Sequence, residues 1–313
     1  MSTDSAILAT IAYFDTFDFA LTPEEIFAFL WKDKAELQDC YGSLHRLSNN
    51  QTLETKDGFY FFPGRSSTLR RREESVIPTE ERLRRAELGA RLIGWLPFVR
   101  AIFVCNSVAA EMAVEKSDID FFVVAEAGRL WLVRFCTNII LKIFGLRTNA
   151  EHSAGHICLS FFASVNDLNL APWRVASDDI YLAIWLRQLY PLYDTGQKIS
   201  QKIQSENAWV SEFLRNADFD DYKYLSGIYS ADGMVKKFKE WCLSGRLGNF
   251  VERQLKQFQW AKLRSNIKEK AKAGGVDVVL TDGILKFHEN DARLGMREKW
   301  LARCSSNLSS RTQ

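Results

Sequence analysis

Three apolar runs between residues 97 and 165 constrain the fold more than any other feature of the chain. A-I-F-V-C (101–105), I-D-F-F-V-V-A (119–125) and I-C-L-S-F-F-A (157–163) have the length and the β-branched and aromatic content of strands. A helix is expected from about Val108, between the first two runs. R-L-W-L-V-R-F-C-T-N-I-I-L-K-I-F (129–144) reads as a second helix, between the last two. Strands that are apolar along nearly their whole length are covered on both faces, and helices alternating with them supply the cover. The expectation is an α/β core over residues 97–200, with a mixed sheet.

Residues 1–65 read differently, as three short helices and a hairpin. Ala6 to Tyr13 has a helical pattern. Thr22-Pro23-Glu24-Glu25 carries an N-cap, a proline at the first helical position and the glutamate of a capping box, and a third helix spans about Leu37 to Leu47. T-L-E-T-K-D-G-F-Y-F-F-P-G then places two strands around an Asp57-Gly58 turn. This order is that of a winged-helix-like module. Its five basic residues (Lys32, Lys34, Arg46, Lys56, Arg65) stand against ten acidic ones, a net charge of −5. A DNA-binding face would be basic, so packing against the next domain or a protein partner is the better expectation.

A charged stretch, S-S-T-L-R-R-R-E-E-S-V-I-P (66–78), reads as a solvated connector leading into a helix from Pro78 to Trp95. After residue 200 the chain reads as mainly helical to residue 304, with a long amphipathic helix around residues 247–263 and a hairpin at Asp282-Gly283. The polar tail 305–313 is expected to be disordered. The net charge of +2 favours no class of partner. Cys40, Cys105, Cys136, Cys158, Cys242 and Cys304 are widely spaced, and the only histidines are His45, His152, His156 and His288. Neither set has the spacing of a zinc site or a disulfide framework. The longest greasy segment, 130–146, is interrupted by Arg134 and Lys142, and the N-terminus lacks the pattern of a signal peptide. A cytoplasmic protein without membrane spans is expected.

The chemistry concentrates in V-C-N-S-V-A-A-E-M-A-V-E-K-S-D-I-D-F-F-V-V (104–124). Side chains two apart on a strand share a face, so Asp118 and Asp120 point together while Ile119 and Phe121 point into the core. Two adjacent carboxylates repel unless a cation lies between them, and Mg²⁺ held by one or two carboxylates plus substrate phosphates suits the pair. Upstream, Asn106 accepts a left-handed turn, and Ser107 is expected to open a helix whose N–H groups face an anion. The alternative is an ordinary cap at a strand entrance.

Asn-Ser, ten intervening residues and then Asp-Ile-Asp between apolar neighbours resemble the signature of the DNA polymerase β-like nucleotidyltransferase superfamily. The whole chain also resembles an uncharacterised bacterial family of nucleotidyltransferase-domain proteins with an N-terminal winged-helix-like module. The motifs that carry this are Y-F-D-T-F-D-F-A-L-T, V-C-N-S, S-D-I-D, C-L-S-F-F and L-K-F-H-E-N-D-A-R. The resemblance implies a nucleotidyltransferase core of the α/β (α+β) class, with Asp118 and Asp120 as catalytic metal ligands and Asn106 and Ser107 as the phosphate-holding turn. It implies Mg²⁺ or Mn²⁺ as cofactor, a nucleoside triphosphate as substrate, and an acceptor that is a protein, an RNA or a small molecule. Asn106 stands where the superfamily usually has glycine. The third carboxylate that active members carry on a later strand is missing from H-I-C-L-S-F-F-A-S (156–164). Glu126, Glu151 and Asp167 are candidate substitutes, with Ser160 or His156 as candidates to orient or deprotonate an acceptor. A nucleotide-binding protein that does not transfer is therefore the runner-up, and a winged-helix DNA-binding regulator the third reading. Two further features invite roles. Residues 231–272 carry eleven lysines and arginines against four acids, a net of +7 that suits a polyanion or a solvated face. His288, Asp291 and Arg293 cluster after the last hairpin.

Overall fold

The computed structural model describes residues 2–149, 152–216, 233–287 and 291–309. The N-terminal elements are α1 (Thr3–Asp15), α2 (Pro23–Ala28) and α3 (Leu37–Asn49), followed by the hairpin of β1 (Glu54–Lys56) and β2 (Phe59–Phe61). The capping box forms as the sequence predicts: Glu25 N–H donates to Thr22 Oγ1 (3.3 Å), and Thr22 N–H donates to Glu25 Oε2 (2.8 Å). Next come α4 (Ser67–Gly94), β3 (Val99–Cys105), α5 (Asn106–Ala109), β4 (Ile119–Ala125), α6 (Leu130–Ile143) and β5 (Ile157–Ser164). They are followed by α7 (Ile180–Arg187), β6 (Tyr190–Asp194), α8 (Lys198–Glu206) and α9 (Val210–Phe213). The last elements are α10 (Met234–Cys242), α11 (Gly245–Lys262), α12 (Ser265–Ala273), β7 (Val278–Leu280), β8 (Ile284–Phe287) and α13 (Arg293–Ser309).

The protein is a mixed α/β structure with a six-stranded mixed sheet ordered β6-β3-β4-β5-β8-β7, in which β4 and β5 run parallel and every other pair is antiparallel. Alternation along the strands divides the interior into two cores. Ile102, Val104, Ile119, Phe121, Val123 and Ile157 face α4 and α6. Ala101, Phe103, Cys105, Phe122, Val124 and Phe161 face α7 and α8, in a core continuous with the N-terminal helices and Trp300 of α13. Gly89 lets α4 lie close to the sheet, since a Cβ there would come within 2.2 Å of Ile157 Cδ1.

The structure departs from the sequence reading in four places. The charged stretch 66–77 is no connector: it is the first half of a 28-residue helix that runs through Pro78. Arg72 forks onto both carboxylate oxygens of Glu25 (2.8 Å each) and stacks over Phe19 and Phe59, which ties this half of α4 to the N-terminal module. Strand β6 was not foreseen, because Pro191 interrupts Y-P-L-Y-D. It is an edge strand, where a missing backbone N–H is tolerated. The hairpin at Asp282-Gly283 belongs to the central sheet, β8 pairing with β5. The tail is helical through Ser309 rather than disordered from Ser305. Its helix docks on α1, Trp300 Nε1 donating to the Ala9 carbonyl (2.9 Å). No helix among the described residues is long and apolar enough to cross a membrane.

Candidate functional site

Asp118 and Asp120 sit at the entrance of β4, on the sheet face that carries Phe122 and Val124. The turn before α5 reaches them from β3. Asn106 adopts a left-handed backbone (φ 57°), donates from Nδ2 to Asp120 Oδ2 (2.8 Å) and accepts from Trp185 Nε1 at Oδ1 (2.9 Å). These two bonds fix which way the amide faces, since the carboxylate needs a donor and the indole needs an acceptor. Asparagine is among the few residues with a side chain that visit this backbone region readily, so it holds the left-handed turn at low cost. α5 is only one turn long and opens at Asn106 rather than at Ser107. The Ser107 carbonyl accepts from Met112 N–H (2.7 Å).

Between α5 and β4 the loop is pinned by the half of α4 that the sequence presents as a connector. Arg71 donates to the Met112 carbonyl (2.8 Å) and Ser75 to the Glu111 carbonyl (2.8 Å). The buried Arg82 reaches the carbonyls of Ser117 (3.0 Å) and Glu115 (2.5 Å). The two aspartates are thus placed by a strand, a turn and a helix that straddles both parts of the molecule.

On the neighbouring strand, Cys158 lies opposite Asp120 in the parallel register. The pairing slips by one residue before Phe122 meets Phe161, a bulge that puts both Cys158 and Phe161 on the aspartates' side of the sheet. Ser160 Oγ donates to Asp120 Oδ1 at a long 3.5 Å. One ligand atom from each of Asp118, Asp120 and Cys158 lies within 4.8 Å of the others. Sequence reasoning passed over Cys158, whose signal was its parity with Ser160 on a strand parallel to β4. It also passed over Trp185, which only tertiary packing brings to the turn.

Burial raises the Asp118 carboxyl above its usual range. Burial first, and then the charge of Asp118, push Asp120 up to about 6. Burial, reinforced by the two aspartates, pushes the Cys158 thiol up to about 12. Among the described residues no lysine or arginine forms an ion pair with either aspartate. Arg147 acts on Asp118 by its charge while hydrogen-bonding Asn138 Oδ1 (2.8 Å) and the Ile157 carbonyl (3.0 Å). Two like charges in a shared, partly dry place, with no ion pair among the described residues, are an arrangement that a divalent ion would relieve.

Two cavities meet at a wall formed by Asn106, Tyr181 and Trp185. One, of about 350 Å³, is lined by Ser107, Ser117 and Arg71 together with Tyr13, Phe14 and Phe17 of α1. Arg71 Nη1 is buried there without a hydrogen-bond partner among the described residues. The other, of about 170 Å³, is lined by Phe161, Trp173 and Tyr181 and by Lys286, Asp291 and Arg293. Asp291 and Arg293 therefore border the site, but as a closed cluster: Arg293 donates to Asp291, Asp179 and the Trp173 carbonyl.

The other candidates divide as follows. Glu126 follows the far end of β4 and pairs with Arg100 (2.8 Å). Asp167 packs against Gly283 beyond the far end of β5. Because β4 and β5 are parallel, both acids lie away from Asp118 and neither sets a third carboxylate beside the pair. His156 precedes β5, contacts the Ala154 carbonyl through Nδ1 (2.9 Å) and lines a separate hollow with Arg147 and His152. Glu151 and His288 lie outside the described residues. Part of the basic segment is structural: buried Lys236 donates to the Gly94 and Val99 carbonyls and to Tyr193 Oη. Glu252 accepts from the first N–H groups of α6, and Glu240 pairs with Arg100. Compared with known protein families, with curated proteins and with solved structures, the chain shows no match.

Proposed function

We propose that this protein is a nucleotidyltransferase of the polymerase β-like type, which binds a nucleoside triphosphate with Mg²⁺ or Mn²⁺ between the Asn106–Ser107 turn and the Asp118–Asp120 pair. The observation that carries the reading is the pair itself: two half-buried carboxylates on one sheet face, both shifted upward, with no ion pair to either among the described residues. Asp118 and Asp120 would hold the divalent ion, which when bound neutralises phosphate charge as it develops. The larger cavity supplies the rest of a triphosphate site. Ser107 and Ser117 offer hydroxyl donors, and Arg71 offers a guanidinium nitrogen that has no partner among the described residues. Tyr13, Phe14 and Phe17 give it an aromatic wall, so the N-terminal, winged-helix-like module serves the site as a lining rather than as a DNA reader. That agrees with its acidic charge and with the pairing of Arg46 on α3 to Asp4 (3.1 Å).

Transfer of a nucleoside monophosphate to an acceptor hydroxyl forms one P–O bond and breaks another, releasing pyrophosphate. The chain's part is to hold the α-phosphorus in line with the acceptor and to keep water out. The runner-up, binding without transfer, is favoured by one observation: Cys158 and Ser160 occupy the neighbouring strand where a carboxylate would deprotonate the acceptor. Incubation of the protein with each α-labelled nucleoside triphosphate and Mg²⁺ or Mn²⁺, beside the Asp118→Ala, Asp120→Ala double variant, tests both readings. Label transfer abolished in the variant supports the enzyme, and binding without transfer supports the sensor. Binding unchanged in the variant would remove the site altogether.

A further inference from the structure

We propose that the cation centre at the head of β4 includes the sulfur of Cys158 as a third ligand and therefore takes Zn²⁺ in preference to Mg²⁺. The inference rests on the cation-site reading above and deepens it. Its basis is the donor set: Asp118 and Asp120 from one strand and Cys158 from the parallel neighbour, with ligand atoms within 4.8 Å of one another. Cys158 is fixed there by the strand register, opposite Asp120, and the β5 bulge follows immediately after it. Bound thiolate and carboxylate ligands on Zn²⁺ lie at about 2.3 and 2.0–2.2 Å from the metal, so the group closes around one ion with side-chain movements of the order of an ångström. Mg²⁺ takes oxygen ligands in near-ideal octahedral geometry and gains little from sulfur, whereas thiolate is a preferred ligand of Zn²⁺. Ligation through sulfur releases the thiol proton to solvent, and Arg147, whose charge acts on both Cys158 and Asp118, offsets the negative charge that remains.

Cobalt is the probe, because a Co²⁺–thiolate bond gives an ultraviolet charge-transfer band that carboxylates alone do not. Full-length protein stripped with a chelator is titrated with Co²⁺. The band is expected in the native protein and absent in Cys158→Ser. Zn²⁺ is expected to displace the cobalt at near-stoichiometric concentration, while Mg²⁺ in large excess leaves it bound. Zn²⁺ affinity should fall by more than about 10-fold in Cys158→Ser, since even outer-shell partners of a metal are worth that much. Cys158→Asp is the second variant, expected to lose the band and to reverse the preference toward Mg²⁺. A native protein without the band, a band that survives Cys158→Ser, or displacement by Mg²⁺ as easily as by Zn²⁺ would each overturn the proposal. Binding of labelled triphosphate with Mg²⁺, measured in parallel, separates the two levels. Nucleotide binding without a cobalt–sulfur band removes only this inference, and loss of both removes the site reading with it.

Discussion

Two groups of aspartates lie near Asn106, Tyr181 and Trp185, and the chain treats them in opposite ways. Asp291 accepts from Arg293 Nε (2.8 Å), Arg293 Nη2 (2.6 Å) and Lys286 Nζ (2.9 Å), and Arg293 extends to Asp179 (3.2 Å), whose other oxygen caps α7 by accepting from Leu182 N–H. Burial pushes the Asp291 carboxyl upward, but the hydrogen bonds and charges of Arg293 and Lys286 outweigh it and hold the group far below the usual carboxylate range. Asp118 and Asp120 receive neutral donors, the Asn106 amide, the Cys158 thiol and the distant Ser160 hydroxyl, with the charge of Arg147 acting on Asp118, and burial still pushes both up. Similar residues at similar depth thus make one cluster closed by ion pairs and one that has none among the described residues. The first stabilises the fold, and the second is the pair to which the proposed cation is assigned.

The largest expected effect tests the ion-paired cluster. Arg293→Met leaves Asp291 and Asp179 buried without their shared cation, and breaking a buried pair from one side costs about 3–5 kcal/mol. Urea unfolding measures it, and a loss under about 1 kcal/mol would erase the contrast with Asp118 and Asp120. Acid gives the next largest effect. The folded-state pKa of Asp291 lies below its unfolded value of about 3.9, so its contribution is complete above that pH and is lost as the pH falls toward the folded value. Asp291→Asn should therefore flatten the decline of stability between about pH 5 and pH 2 relative to the native protein. Parallel curves would place the acid sensitivity elsewhere.

How much of this was legible in the sequence follows the range of the interactions involved. β4 was readable to the residue because its apolar run is bounded by Asp118 and by the Glu126-Ala127-Gly128 turn. The Asp57-Gly58 hairpin was readable because its turn needs positive φ at both central positions, 53° and 83° here. The left-handed turn at Asn106 was expected for a similar reason. Features set by distant contacts were not visible. The run Arg70 to Glu74 has strong helix formers but a narrow buried stripe, so it looks like a linker until Arg71, Arg72 and Ser75 are seen to grip Met112, Glu25 and Glu111. Cys158 looks like one more small core residue until the register sets it beside Asp120. Of the site, the acids and the turn were legible because they lie within one segment of chain. Cys158, the indole of Trp185 and the Arg71 guanidinium come from other elements of the chain.

A smaller effect separates the two jobs of Asn106. Asn106→Gly and Asn106→Ala both remove the bonds to Asp120 and Trp185, but only alanine keeps a Cβ in the left-handed region. The alanine variant should be less stable than the glycine variant by about 1 kcal/mol. Equal stabilities would mean that the turn relaxes, and the site would then depend less on this backbone than the φ of 57° implies.

The smallest effect bears hardest on the comparison. Asp120→Asn keeps the shape of the side chain, removes the repulsion with Asp118 and removes a charge that burial disfavours. Its amide can still meet Ser160, while the facing Asn106 amide has to give up or redirect one hydrogen bond. These changes oppose each other, so stability in metal-free protein should shift by no more than about 0.5 kcal/mol, against the several expected for Arg293→Met. A loss of 2 kcal/mol or more would show Asp120 to be as structural as Asp291, and the upward shift of its carboxyl would then be a by-product of packing. A near-zero change would mean that the fold does not need the negative charge at this position. The carboxylate would then owe its place to a ligand, and the same variant should lose divalent-ion binding while its unfolding curve overlays that of the native protein.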